Sequence, residues 1–317
     1  MQETALRMPE RIRPGDTIGV VAPGSPISLD EGEALTAYLE KAGYRIRFGK
    51  TIKNQMNFHG YLAGDARTRA EDINSMFADP DVKGILCARG GYGSSHTMEY
   101  LDLEMIRRHP KVFIGYSDNT NYHSVFNKYC GLITFHGPMA VSNMLKGFDA
   151  YSRSSLWQAL NMSMTDFYEF KNPPGDPMKV LHPGKAKGLV TGGNISLLAH
   201  SVGTFYQPDT EGKILFVEDV GETIPRLDMM ITQMEQAGMT KGIRALLIGN
   251  FEDCSNDRYD RSYRIDDFLC DRFADYKVPV VTNLCSGHKH PMGTIPMGAV
   301  CSVDASDSAV RIWFGPG

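Results

Sequence analysis

Residues 112–129 read VFIGYSDNTNYHSVFNKY, and this stretch decides the fold of the first half of the chain. Its first four residues, Val112–Gly115, form a short apolar run typical of a strand that is buried on both faces. The polar residues Tyr116-Ser117-Asp118 follow and lead into a helical pattern that extends to about Tyr129. Three similar apolar runs precede this one, each before a helical pattern: Thr17–Ala22, Tyr44–Phe48 and Gly84–Ala88. Strands that alternate with helices predict a parallel sheet with helices on both faces.

Capping residues mark the starts of two of these helices. Ser28 and Glu31 have the spacing of a capping box, in which each side chain accepts a hydrogen bond from the other residue's backbone N–H. The helix that they open is predicted to end near Ala42, with Gly43 as its C-terminal glycine. Asp65 is the predicted N-cap of the helix that precedes the third strand.

The second half of the chain has a different pattern. Between about Leu145 and Lys185 the periodicity weakens and Pro-Gly turns accumulate, so we predict that residues 146–184 connect two domains, residues 1–145 and 185–317. Strands cluster towards the C-terminus, which favours an α+β domain with a mixed sheet or a small barrel. Its predicted strands and helices are Lys187–Thr191, a helix from Ser196, Lys213–Val217, a helix over Pro225–Ala237, Ala245–Asn250, a helix over Ile265–Tyr276, Ala299–Val303 and Ala309–Phe314.

Composition excludes several classes of protein. Of the 317 residues 42% are hydrophobic and 22% are charged, which is typical of a globular protein and excludes extensive disorder. A chain longer than roughly 250–300 residues predicts two domains. The net charge is −4, so binding to nucleic acid or to an anionic membrane surface is not expected. No apolar run reaches the roughly 18 residues that a membrane-spanning helix needs.

Cysteines and histidines give no sign of a metal or disulfide framework. The six cysteines are scattered and none forms a CxxC pair, which predicts buried free thiols. Only His288 and His290 are close together, so no metal and no cofactor is expected. Met1–Arg11 lacks the apolar core of a signal peptide, and we therefore expect a cytoplasmic protein, or a periplasmic one if a leader has been removed.

Two strand ends carry residues that could perform chemistry, because ligands of an open parallel sheet bind at the carboxyl ends of its strands. Arg89-Gly90-Gly91-Tyr92-Gly93 could hold an anion or an oxyanion on its backbone N–H groups, or could be only a tight turn. It lacks the GxGxxG spacing of a dinucleotide site. Gly115-Tyr116-Ser117-Asp118 partly matches the nucleophile elbow of serine hydrolases, although a serine at this place is also a common helix N-cap.

The second half offers partners for a serine nucleophile. Glu218-Asp219 ends a predicted strand, where two acids could equally be a solvated rim. Ser286-Gly287-His288-Lys289-His290 places two histidines in a glycine-containing loop. A serine nucleophile needs a base and a group that orients the base, and the order of the three along the chain is free.

Short motifs run along the chain from about residue 12 to the C-terminus. They are Pro14-Gly15-Asp16, Val21-Ala22-Pro23, Leu62–Asp65 with Arg69, Arg89–Gly93, Gly115–Asp118, His136–Met139, Gly192–Leu198, Glu218-Asp219, Gly287-His288 and Pro296–Gly298. Together these motifs, in this order, resemble the LD-carboxypeptidase family of serine peptidases. This family comprises the muramoyl-tetrapeptide carboxypeptidases and includes the microcin C self-immunity peptidases.

The resemblance implies a catalytic triad and a reaction. Ser117 matches the nucleophile, Glu218 the orienting acid and His288 the base, while the backbone N–H groups of Gly91 and Asp118 match the oxyanion hole. The implied reaction releases the terminal D-Ala of a murein tetrapeptide by cutting its bond to the L-centre of diaminopimelate, in the recycling of cell-wall peptides.

The resemblance also implies an architecture. The family fold is α/β, with a Rossmann-like parallel-sheet N-terminal domain, a smaller β-rich α+β C-terminal domain and a triad assembled in the cleft between them. Members are usually homodimers. This sequence departs from the family pattern at Asn119 and within Thr223–Asp228, which affects the expected substrate more than the chemistry.

Alternative functions remain open on the sequence alone. One is a related amide hydrolase that cleaves peptidyl-nucleotide or acyl-amino-acid bonds, a second is a serine esterase, and a third is a non-catalytic protein that binds a small anion. A carboxypeptidase must also recognise a free carboxylate, for which Arg89 and Arg226 are the candidates. Either arginine could instead make a structural ion pair.

Overall fold

The computed structural model describes residues 6–162, 166–256, 259–306 and 309–315. The first five and last two residues of the predicted domains lie outside these ranges. The described part of the chain forms two sheets with helices packed on them. No helix within it is both long and apolar enough to cross a bilayer.

The first sheet is built by the apolar runs of the first half of the chain. Its strand order is β12-β5-β4-β3-β1-β2, and β1 to β5 are all parallel. The short strand β12 comes from the far end of the chain and pairs antiparallel with β5 at the sheet edge. The strands are β1 Thr17–Val21, β2 Arg45–Phe48, β3 Val82–Cys87, β4 Val112–Gly115, β5 Thr134–His136 and β12 Ile295–Met297.

Helices connect these strands, and two of them begin at the predicted caps. Ser28 Oγ accepts from the Glu31 N–H at 3.1 Å, and a Glu31 carboxylate oxygen accepts from the Ser28 N–H at 2.8 Å, which confirms the capping box. Asp65 caps the third helix through the Thr68 N–H. The helices of this half are α1 Leu29–Lys41, α2 Lys50–Lys53, α3 Ala66–Ala78, α4 Ser94–Thr97, α5 Leu103–Arg108 and α6 Thr120–Cys130.

The second sheet is mixed and has the strand order β6-β14-β13-β8-β9-β10-β11-β7. Its centre, β8 to β11, is parallel, and antiparallel strands extend it on both sides. The strands are β6 Tyr168–Phe170, β7 Lys179–His182, β8 Gly184–Asn194, β9 Ile214–Val220, β10 Ala245–Glu252, β11 Val280–Thr282, β13 Val300–Ser306 and β14 Ala309–Gly315, and the helices are α7 Ala150–Leu160, α8 Ile195–His200, α9 Ile224–Gln236 and α10 Ile265–Phe273. Two domains with mixed sheets and helices confirm the α/β fold class.

The region expected to connect the domains is more structured than its sequence suggests. Residues 146–184 contain α7 and two edge strands of the second sheet, β6 and β7. These strands have three and four residues, too few to show a clear alternation. The division of the chain at residues 145 and 185 stays a prediction.

One apolar cluster joins the two domains. It includes Ile114 and Phe135 of the first sheet together with Phe216 and Phe314 of the second, each at most 4% exposed. Burying such side chains is worth about 1.5–3 kcal/mol each. The two sheets therefore share one apolar core.

The described cysteines are all free thiols. Five of the six are buried, as expected, whereas Cys270 on α10 is exposed. Burial raises the pKa of the Cys285 thiol to about 11, which keeps that group protonated and unreactive.

Candidate active site

Ser117 stands at a sharp turn between β4 and α6. Tyr116 is extended, with φ −153° and ψ −170°, and Ser117 then takes a positive φ of 63°. A positive φ is uncommon for a residue with a side chain and marks local strain, as at the elbow of serine hydrolases. Asn119 closes the turn by donating its side-chain N–H to the Tyr116 carbonyl at 2.9 Å. The serine is therefore held in one strained position at a strand end.

The glycine turn after β3 lies directly against this serine. A Cβ atom at Gly90 would lie 2.9 Å from Ser117 Cβ, so only glycine allows the approach. Gly91 has a φ of 107°, and a Cβ there would collide with Ser25 Oγ at 2.0 Å. Neither the Gly91 N–H nor the Asp118 N–H has an acceptor among the described residues. Two unengaged donors thus flank the serine, on the residues expected to form an oxyanion hole.

The Asp118 carboxylate ties the elbow to the glycine turn. It is 1% exposed and accepts hydrogen bonds from the Ser94 N–H at 2.9 Å and the Ser94 hydroxyl at 2.8 Å. Burial raises the pKa of Asp118, and the bonds from Ser94 and the charge of Arg69 oppose that rise. Asp118 therefore has a structural side chain in addition to its backbone donor.

Arg69 of α3 joins three loops by donating hydrogen bonds to a backbone carbonyl of each. Its guanidinium is 1% exposed and donates to the carbonyls of Gly64 at 3.0 Å, Gly93 at 2.9 Å and Pro23. Sequence reasoning quoted Arg69 only as part of a motif and gave it no role. A signal was present, because this charged residue lies four positions before Ile73 on the apolar face of α3.

Glu218 and His288 meet in the second domain. Glu218 lies near the end of β9 and is 0% exposed, and its Oε2 lies 2.7 Å from His288 Nδ1. A Cβ at Gly287, where φ is 132°, would lie 3.0 Å from the same carboxylate oxygen, so the glycine lets the loop approach Glu218. His290, the competing base, is exposed.

The protonation of this pair follows from its surroundings. Burial lowers the pKa of His288, but the charge of Glu218 and the hydrogen bond to it outweigh burial, and the net pKa is raised. A carboxylate can only accept, so Nδ1 carries the proton and Nε2 is left as a base. The second oxygen of Glu218, Oε1, has no hydrogen-bond partner in the described part of the chain.

Tyr116 brings the elbow and the base side by side. Its ring packs on His288 with centroids 4.9 Å apart and an angle of 65° between the planes. Burial raises the pKa of Tyr116 to about 12, so the ring remains a neutral phenol. No hydrogen bond joins Ser117 Oγ to His288 among the described contacts, and such bonds commonly form only when substrate is bound.

His136 packs behind Tyr116. Its ring centroid lies 5.8 Å from that of Tyr116 and 5.1 Å from that of Phe216, and it is 0% exposed. Burial lowers the pKa of His136 far enough to keep it neutral. His136 thus adds a neutral polar ring to the layer behind the candidate triad.

The two domains also contact each other beside the serine. The Asn194 N–H, at the end of β8, donates to Thr120 Oγ1 at 3.1 Å. The Asn194 side chain in turn donates to Asp219 Oδ1 at 2.9 Å, and Asp219 also accepts from the Ser196 hydroxyl. Sequence reasoning did not predict these contacts, because the residues are distant along the chain, and Asp219, at 2% exposed, is not part of a solvated rim.

Both candidate carboxylate-binding arginines make ion pairs. Arg89 Nη2 lies 3.9 Å from Glu31 Oε1, and its Nη1 donates to the Pro26 carbonyl at 3.2 Å. Arg226 Nε lies 2.7 Å from Glu222 Oε2, with 63% of its side chain exposed. Arg89 thus remains on the glycine turn next to Gly90, while Arg226 is on the first turns of α9.

The sequence matches known families over most of its length. A family model described as LD-carboxypeptidase N-terminal domain matches residues 18–137, and one described as LD-carboxypeptidase C-terminal domain matches residues 187–303. A probable murein peptide carboxypeptidase of Bacillus subtilis is 34% identical over 308 residues, covering 97% of this chain and 94% of the relative. The murein tetrapeptide carboxypeptidase of Pseudomonas aeruginosa is 28% identical over 297 residues, covering 91% and 93%.

Solved structures of an LD-carboxypeptidase and of a microcin self-immunity protein have the same fold as this chain. The muramoyltetrapeptide carboxypeptidase from Oxalobacter formigenes superposes with a TM-score of 0.82 at 27% identity, covering 94% of this chain and 98% of that one. The microcin C7 self-immunity protein MccF, in complex with glutamyl sulfamoyl guanosine, superposes with a TM-score of 0.87 over 98% of each chain. At 23% identity, the likeness to MccF shows the fold alone.

Proposed function

This chain belongs to the LD-carboxypeptidase family of peptidases, and from that premise we propose that it is a serine carboxypeptidase acting on murein tetrapeptide. It releases the C-terminal D-Ala by cutting the bond from the L-centre of diaminopimelate. The observation that carries the proposal is the hydrogen bond between the buried Glu218 and the partly buried His288, beside the strained Ser117. A base held in one tautomer next to a strained serine is the arrangement that acyl transfer needs.

The first half of the reaction forms an acyl-enzyme. Ser117 Oγ attacks the carbonyl carbon of the scissile bond while His288 Nε2 takes the hydroxyl proton. The N–H groups of Gly91 and Asp118 stabilise the oxyanion, and such a donor contributes about 10²–10³ to the rate. His288 then gives its proton to the leaving amine of D-Ala, and the C–N bond breaks.

The second half restores the enzyme. Water attacks the acyl-serine ester, His288 takes a proton from that water, and the proton returns to Ser117 as the ester bond breaks. Throughout, Glu218 keeps the proton on Nδ1 and stabilises the imidazolium that forms twice in each cycle. Its complete burial strengthens this interaction, because little water screens the charge.

The free carboxylate of the substrate needs a cation or several N–H donors. Arg89 is the better placed of the two candidates, since it begins the turn that carries Gly91. Removing a charged hydrogen bond of this kind costs roughly 30- to 1000-fold in kcat/KM. We expect wild type to prefer a tetrapeptide with a free C-terminus over its amide, and Arg89→Met or Arg226→Met to lose that preference. Arg107→Met, which removes a helical ion pair far from the site, is the matched control.

The experiment that tests the proposal is mass spectrometry of the products after incubation with murein tetrapeptide. We expect tripeptide and free alanine from wild type. Equal cleavage of the free acid and the amide would contradict the carboxypeptidase assignment. The work of such an enzyme in the recycling of cell-wall peptides places it in the cytoplasm, and we propose that it acts there as a homodimer.

A second candidate is hydrolysis of a peptidyl-nucleotide by the same triad. The likeness to the microcin C7 self-immunity protein MccF of Escherichia coli, 25% identical over 94% of this chain, favours it. An aminoacyl sulfamoyl nucleoside offered beside the tetrapeptide separates the two functions. Cleavage of the nucleoside compound alone would support this second candidate.

A further inference from the structure

A cavity lies on one face of the first sheet, away from the residues of the candidate triad. It has a volume of about 420 Å³ and lies between α1, one face of the first sheet and α7. Ser117, Glu218 and His288 do not line it. Its walls include Ile18 of β1, Leu39 of α1, Leu86 of β3, Ile114 of β4, and Leu156 and Trp157 of α7.

The cavity is an apolar groove that opens to the surface beside Lys41, Ala42 and Arg153, which are exposed. Apolar cavities hold water poorly and take up apolar ligands instead. Volumes of roughly 300–1,000 Å³ are those of small-molecule sites. The cavity therefore has the size and the lining of a ligand site.

Two cations stand among the cavity's lining residues. Lys41 at the end of α1 and Arg153 on the first turn of α7 are both exposed. In the described part of the chain neither forms an ion pair with a carboxylate. Arg153 donates to the Phe148 carbonyl at 3.1 Å and lies 5.7 Å from the centroid of the Phe148 ring, so its described partners are a carbonyl and an aromatic ring and not a carboxylate.

We propose that this cavity binds a medium-chain fatty acid, with the alkyl chain among the apolar walls and the carboxylate at Lys41 and Arg153. The apolar lining favours the alkyl chain, and the two cations, which have no carboxylate partner among the described residues, favour an anionic head group over a neutral one. The site is independent of the peptidase reaction, because it shares no residue with the candidate triad.

Tryptophan fluorescence can report binding directly. Of the two tryptophans in the chain, Trp157 lines the cavity and stacks on Tyr44 with centroids 6.2 Å apart, whereas Trp313 is on β14. In a Trp313→Phe variant, titration with decanoate below its micelle-forming concentration is expected to change the Trp157 emission saturably. Hexanoate, four methylenes shorter, is expected to bind on the order of a hundredfold more weakly.

Two variants separate the parts of the proposal. Arg153→Glu is expected to weaken decanoate at least about tenfold while leaving decanol unchanged, and Lys53→Glu, an exposed cation on α2 outside the cavity, is the matched control. Ala42→Phe, at the exposed rim, is expected to block both ligands while circular dichroism shows an intact fold.

The outcomes decide for or against the site without reference to catalysis. No saturable change in Trp157 emission, equal binding of decanol and decanoate, or unchanged affinity in a folded Ala42→Phe variant would each overturn it. Because Ser117→Ala leaves the cavity intact, decanoate binding by that variant shows that the two sites can succeed or fail separately.

Discussion

The Nδ1 atom of His288 lies 2.7 Å from Oε2 of Glu218, a carboxylate with no exposed surface. The bond spans 70 residues of sequence and joins a strand end to a glycine-containing loop. The bond engages Nδ1 and leaves Nε2 of His288 free of the carboxylate. The His288 ring also packs against the ring of Tyr116. The predictions below follow from this pair and from the turns that hold Ser117 beside it.

Glu218→Gln is expected to change both the rate and its pH dependence. His288 must be neutral to act as a base, and its raised pKa places the acid limb of kcat/KM above the ordinary histidine value of 6.5. Removing the Glu218 charge leaves burial as the main influence, which moves that limb to lower pH. The rate is expected to fall about 10⁴-fold, since an amide does not stabilise imidazolium. A pH profile with an unmoved acid limb would count against the pair.

His288→Ala and His290→Ala form a matched comparison two residues apart. Only His288 bonds to Glu218, and His290 is exposed. We expect the first variant to lose at least as much activity as Glu218→Gln and the second to stay within a fewfold of wild type. Steady-state kinetics with folded proteins decide this, and equal losses would reopen the choice of base.

Gly91→Ala is expected to reduce kcat by about 10²-fold or more. The new Cβ would collide with Ser25 Oγ and move the N–H donor away from the oxyanion. Gly60→Ala is the control, because Gly60 also has a positive φ, 81°, but a Cβ there meets no atom within 4 Å. If both variants keep wild-type kcat, Gly91 does not supply an oxyanion donor.

Arg69→Met is expected to destabilise the protein by about 3–5 kcal/mol, because Asp118 loses its buried cation and three carbonyls lose a donor. Urea denaturation measures the change in the free energy of unfolding. Arg67→Met, two positions earlier on the same helix, is the control, since Arg67 lies over the Tyr100 ring and not under the site. A loss below about 1 kcal/mol for Arg69→Met would show that the loops hold without it.

Local patterns predicted much of the fold. The capping residues Ser28 and Asp65 and the apolar run Val112–Gly115 determine their elements through short-range physics, and the structure has them where expected. β12 was not foreseen as part of the first sheet. It has only three residues, and Pro296 at its centre is compatible with the edge position that the strand takes.

The candidate site was less accessible to sequence reasoning. Ser117 carries a local signal, a serine at a strand end, but the pairing of Glu218 with His288 depends on the packing of distant segments. Resemblance to a family, rather than spacing, suggested that pair. Arg69 and Asn194 had no assigned role because their partners are backbone groups and side chains that only the folded chain brings near.

The most direct test of the account is the rate of D-Ala release from murein tetrapeptide by wild type and by Ser117→Ala. We predict tripeptide and free alanine from wild type, and release slower by about 10⁴–10⁶-fold in the variant with an unchanged fold. A folded Ser117→Ala variant that keeps more than about a tenth of the wild-type kcat would contradict the account.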